Sequence, residues 1–213
     1  MVSDEAMVDD DGVVRIGSVL FALIRPNEGR DLAFNHWYER DHYYTAGVAA
    51  PGVFSAGRFI EPVERLHLAA YFVLPGHDAA RVAFAAEQYA LAADDDRLFV
   101  DRVHLHTWSY TVESSSVGVD GVSPALVLDR RYEAVTVVWC DADVAVPDAA
   151  VVLTMAPVTP VMPSSWDDGI DPTKRRMVLA FHDGELESPS GPGVHWSARF
   201  DAAVFGTDTH VAR

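Results

Sequence analysis

Cysteine is almost missing: Cys140 is the one cysteine among 213 residues. No disulfide can form within the chain, and the setting Val135-Thr136-Val137-Val138-Trp139 marks Cys140 as an inert thiol in a strand core. Positive charge is also scarce, with 16 Lys and Arg against 32 Asp and Glu and a formal charge of −16. Nucleic acid and anionic bilayers both call for a basic surface, so neither is an expected partner; a hydrophobic small molecule is. No segment reaches the roughly 18 apolar residues of a membrane span. The acidic start lacks the basic stretch and apolar run of a secretory leader, which makes cytoplasmic the default compartment. Also missing are Gly-x-Gly-x-x-Gly, a phosphate loop, Cys-x-x-Cys and Gly-x-Ser-x-Gly, so nucleotide, zinc-ribbon and serine-hydrolase chemistry lack their signatures.

What is present suffices for a sizeable core, since 49% of residues are hydrophobic. The acidic patches Asp4-Glu5, Asp9-Asp10-Asp11 and Asp94-Asp95-Asp96 read as solvated surface. Residues 1–15 form an acidic arm. Val19 to Ile24 is a short apolar run stopped by Arg25-Pro26-Asn27-Glu28-Gly29, a buried strand and a turn. The spacing predicts a helix from Asp31, its N-cap, to Val48, ended by Ala50-Pro51-Gly52. Val53–Ile60 and Leu66–Leu74 read as an antiparallel pair. Asp78 caps a second helix with Val82, Phe84, Ala85, Tyr89 and Leu91 on its apolar face, and Phe99–Val112 returns as a strand. Residues 16–116 thus follow the β-α-β-β-α-β order of a ferredoxin-like unit, an α+β fold.

The helix motif Phe34, Trp37-Tyr38 and His42, followed by Pro51-Gly52-Val53-Phe54 and Arg58-Phe59, resembles the EthD-like branch of the dimeric α/β-barrel proteins. Members commonly carry a proline shortly after the helix histidine, where this chain has Tyr43-Tyr44. The resemblance implies two such sheets closed face to face into a barrel, from two chains of a homodimer or from two halves of one chain as a pseudo-dimer. It also implies one of several activities, among them cofactor-free oxygenases, cyclases and isomerases and haem-handling proteins.

Residues 117–213 read as a divergent second half. Ala125–Leu128, Ala134–Trp139, Ala150–Met155, Met177–Phe181 and Trp196–Phe205 are expected strands, and Pro147, Pro157, Pro160, Pro163 and Pro172 divide them into strands and long loops. No copy of the first helix is visible, although Phe205-Gly206-Thr207-Asp208-Thr209-His210 resembles EthD-like tails. Ser114-Ser115-Ser116 reads as a flexible joint between the halves. His182-Asp183-Gly184 and Trp166-Asp167-Asp168-Gly169 read as turn and loop.

Alternation along residues 102–110 puts Arg102, His104, His106, Trp108 and Tyr110 on one face and Val103, Leu105 and Thr107 on the other. His67 and Tyr71 likewise alternate with Leu66 and Leu68. The expectation is that the aliphatic faces lie under the helices and the His/Trp/Tyr faces line the barrel interior as a ligand pocket. His42, His104 and His106 are the candidate acids and bases, with Asp41 orienting an imidazole. Tyr38, Arg58, His67, Tyr71, Trp108 and Tyr110 are the candidate substrate-binding residues. No cofactor is invoked. The leading expectation is acid/base processing of a hydrophobic cyclic or aromatic oxygenated molecule by a cyclase, isomerase or oxygenase step. The alternatives are a non-catalytic ligand-binding or assembly protein, and a metal-dependent enzyme using His104 and His106 with Asp41 or Asp101.

Overall fold

The computed structural model describes residues 14–118, 122–128, 130–141, 144–161, 165 and 175–206. The arm up to residue 13, the segment Trp166–Gly169 and the tail from Thr207 lie outside the described residues. Eight strands close into one antiparallel barrel within the single chain: β1 (Ser18–Pro26), β2 (Val53–Glu61), β3 (Leu66–Val73), β4 (Arg102–Val117), β5 (Ala134–Cys140), β6 (Val151–Pro160), β7 (Arg176–His182) and β8 (Val194–Ala202). Taken around the ring from β4, the order is β4-β1-β3-β2 and then β8-β5-β7-β6. In each group of four, the fourth strand flanks the first and the third lies between the first and the second.

The long helices belong to the first group. α1 (Asp31–Trp37) runs without a break into a π-helical segment, Tyr38–Val48, and α2 is Asp78–Asp94. The segments joining β5 to β6 and β7 to β8 contain no helix among the described residues. The order β-α-β-β-α-β therefore holds for the first half, and the chain is α+β.

Several local expectations are corrected. Residues 125–128 are not a strand but part of a one-turn helix, α3 (Pro124–Leu128). The Ser123 hydroxyl accepts the Ala125 N–H at 3.3 Å, and proline suits a first helical position. Ser114–Ser116 are no joint: they pair with β6 as the far end of the 16-residue β4. Neither Asp31 nor Asp78 caps a helix, since each is the first helical residue. Asp31 instead pairs with Arg65, and Asp78 accepts the Ser18 hydroxyl at 2.6 Å.

The barrel lumen is the main core. Val19, Phe21 and Leu23 of β1, Leu66, Leu68, Ala70 and Phe72 of β3, and Val135, Val137, Trp139, Leu153, Met177, Leu179 and Phe200 from the other strands fill it. An eight-stranded barrel is just wide enough for side chains to fill it, so it selects bulky apolar residues on its inner face. The consequence overturns the expected facing: Leu66 and Leu68 point into the lumen, while Ala69 and Tyr71 lie under the helices with Phe34 and Tyr38.

Candidate functional site

α2 does not seal down on the sheet. A cavity of about 470 Å³ lies between the outer face of β1, β3 and β4 and the wall formed by the π segment and α2. Leu20, Ala22 and Ile24 form part of its floor; Val82, Ala85, Ala86, Tyr89 and Ala92 present the apolar face of α2 to it. Arg81 is the one buried residue on α2, and Val82 and Tyr89 stay 47% and 45% exposed because they border open space. α2 is tethered by polar ties instead. Asp78 accepts from Ser18, Arg81 Nη2 donates to Ser109 Oγ at 2.6 Å, and beyond its C-terminus the Arg97 carbonyl accepts Trp37 Nε1–H at 2.6 Å.

The chemistry-bearing wall is the π segment. Its wider winding is visible in Ala49 N–H donating to the Tyr44 carbonyl, five residues back, at 3.1 Å, a winding that is rare and often found at functional sites. It brings residues five apart together: His42 stacks on Trp37 and Tyr43 lies 6.2 Å from Tyr38. Gly47 permits the close approach of Tyr71, whose Cε1 would be 2.1 Å from a Cβ placed there.

Of the expected site residues, Tyr38, Asp41, His42, Tyr71 and His104 line this cavity. His42 makes ring contacts with Trp37 and Tyr38 but no hydrogen bond among the described residues. Loss of water around the ring, then the charge of Arg102 and the neighbouring His104, lower its pKa to about 3. His104 is lowered to about 4 by burial and by Arg102. Arg102 Nε donates to His104 Nε2 at 3.2 Å, so the proton of the neutral ring sits on Nδ1, which donates to Thr107 Oγ1 at 3.0 Å.

Tyr38 and Tyr71 share a short hydroxyl–hydroxyl hydrogen bond. Burial raises Tyr38 to about 12 and Tyr71 well above its usual value. Arg58 lies 4.9 Å from the Tyr38 ring centre and favours ionisation at that end of the pair. Arg58 and His67 sit behind the tyrosines rather than in the cavity: Arg58 donates to Asn35 Oδ1 at 2.6 Å, Glu39 Oε1 at 3.0 Å and His67 Nδ1 at 3.1 Å.

Three expected residues do face the barrel interior, but there they belong to its packed core and not to the cavity. Opposite β4, Leu23 pairs with His106 and Ile24 with His104, leaving Leu105 as an extra residue in a bulge. The bulge breaks the alternation, so Arg102, His104 and Thr107 face the cavity while Leu105, Trp108 and Tyr110 lie in the lumen core. His106 lies with them, stacked on Trp108 at 5.5 Å, its Nε2 2.6 Å from the Tyr110 hydroxyl. His104 and His106 therefore lie on opposite faces and cannot share one metal ion. Among the described residues no three His, Cys, Asp or Glu side chains gather as a metal site. Asp41 does not orient an imidazole either: Arg97 Nη1 donates to both its carboxylate oxygens, at 2.8 and 3.0 Å. Arg102, Trp37, Tyr89 and Arg81 also line the cavity, and none of them was among the candidate site residues. The signal for Arg102 was its alternation with His104.

No helix among the described residues is long and apolar enough to cross a membrane. No family model matches the chain, and no curated protein does. Among solved structures, it is similar to a protein from Fusobacterium nucleatum subsp. nucleatum named "putative monooxygenase", with a TM-score of 0.48 and 5% sequence identity over 89% of this chain and 93% of that one.

Proposed function

We propose that the cavity under α2 takes up a flat, largely apolar, oxygen-bearing molecule, cyclic or aromatic, and that the chain's own side chains move a proton on it in a cyclase, isomerase or oxygenase-type step. The observation that carries this reading is His42, an imidazole with no protein hydrogen-bond partner among the described residues, held neutral against a largely apolar void. A neutral ring nitrogen can accept a proton from a bound phenol, enol or activated C–H. Arg102 in the same cavity stabilises the oxyanion that this transfer leaves, and the Tyr38–Tyr71 pair offers a second donor. In this reading residues 117–213 are a divergent copy of 16–116 that lost the helices which would cover such a cavity. The repeated strand order supports it.

A carrier role is the second reading, favoured by the same low basicity of His42, since a base lowered to about 3 is weak until an anion forms beside it. A panel of naphthols, hydroxyquinones and aromatic ketones, screened by thermal shift and then for turnover, separates the two. Ala85→Phe, which fills the cavity, is expected to abolish every shift. Binding with no conversion of any binder favours the carrier; no binder at all removes the cavity reading.

A further inference from the structure

The cavity is positively charged in a protein of net charge −16. Arg102 lines it with its guanidinium carbon 4.8 Å from the centre of the Trp37 ring. Its Nε is committed to His104. Among the described residues neither Nη group has an acceptor, and no carboxylate forms an ion pair with Arg102. The carboxylates that could have served are engaged elsewhere: Asp101 pairs with Arg30 at 2.8 Å, and Asp41, on the cavity wall, is held by Arg97. Arg81, 2% exposed, adds a second cation from α2, satisfied in part by Ser109, with Nε and Nη1 buried without an acceptor. A guanidinium taken out of water without a counter-ion is costly, and an anion that enters recovers part of that cost.

We propose, building on the reading above, that the molecule taken up is a planar carboxylate whose two oxygens dock end-on against the terminal Nη pair of Arg102. With Nε already used, that pair is the remaining edge of the fork, and its two parallel donors match the two oxygens of a carboxylate. The ring system then extends along Leu20, Ala22, Ala85 and Ala86, within reach of His42. The overall negative charge repels such an acid from the rest of the surface, so Arg102 provides affinity and selection together.

The test is calorimetric titration of wild type, Arg102→Gln and Arg102→Lys with 2-naphthoate and with its neutral isostere 2-naphthamide. Wild type is expected to bind the acid at least about tenfold more tightly than the amide, the scale of one charge-assisted fork. Added salt should weaken binding of the acid alone. Arg102→Gln should erase the preference while keeping amide affinity, and Arg102→Lys should keep a reduced preference because it retains charge without the fork. Equal affinities in wild type, or a preference that survives in Arg102→Gln, overturn the carboxylate and leave the cavity reading standing, because the amide still binds. Failure of both ligands to bind wild type overturns both. Should Arg102→Gln fail to fold, the wild-type preference and its salt dependence decide.

Discussion

The imidazole of His42 stacks on the indole of Trp37, five positions earlier, with ring centroids 4.5 Å apart and planes 20° from parallel. In an α-helix such stacking falls to residues three or four apart. The wider π winding transfers it to the fifth and so turns His42 from the helix flank into the cavity.

His42→Ala is therefore expected to keep the fold, since the ring fills a border of open space, and to lower turnover by about 10²–10⁴-fold, the scale of one positioned proton-transfer group. Circular dichroism and the thermal midpoint check the first part. Rates on a substrate found by screening check the second, and full activity in the variant would make His42 a packing residue.

Acid sensitivity should begin above the carboxylate range. His42 and His106 are lowered to about 3 and His104 to about 4, all chiefly by burial. In the unfolded chain they titrate near 6.5. Above that pH both states are neutral; below it the unfolded chain takes up protons that the native one refuses. Stability must fall as pH drops from about 6.5 to 5, before most carboxylates titrate. Urea midpoints across that interval measure the slope, and His106→Gln, which cannot protonate, should flatten it.

The order of elements in the first half was legible because alternation, turn residues and helix breakers agree there. The site was legible only in part. Its location depended on which sheet face goes inward, and the lumen's demand for bulky aliphatics decided that. His106, Trp108 and Tyr110 do face the barrel interior as expected, but that interior is a filled core, and the extra residue at Leu105 separates them from Arg102 and His104, which unbroken period-two alternation would have kept on the same face. No residue type marks that bulge in the sequence. The π winding was equally hidden, since Phe34, Trp37, Tyr38, Asp41 and His42 satisfy three- and four-residue spacing as well as five.

Gly47→Ala is expected to destabilise the protein by about 1–3 kcal/mol, the cost of overpacking a closed site. The added methyl would collide with the buried Tyr71 ring. A double-mutant cycle checks the cause: in a Tyr71→Ala background the same change should cost little. A full cost there would place the strain in the helix backbone.

Two buried arginines should respond in opposite ways. Arg58→Leu removes an ion-pair partner of Glu39, whose side chain is 9% exposed, and should cost about 3–5 kcal/mol by weakening the compensation of a largely buried charge. Arg81→Met removes a guanidinium with two unsatisfied donors, and its midpoint should stay level or rise. Denaturant titration of both reads the contrast, and equal losses would mean that Arg81 has compensation in solution.

The two seams of the ring are very unequal. β4 and β6 are joined from Trp108 to Val117, whereas β2 and β8 meet at Phe59 with Ala202 and Ile60 with Asp201. A hoop is as strong as its clasp. Here the residues just past the end of β8 reinforce the clasp: Ala203 N–H donates to the Arg58 carbonyl, Gly206 N–H donates to Glu39 Oε2, and Phe205 lies 4.6 Å from Tyr43. The fastening thus runs through Arg58, Glu39 and Tyr43, which back the two tyrosines, so the clasp of the hoop and the wall of the cavity share the same side chains.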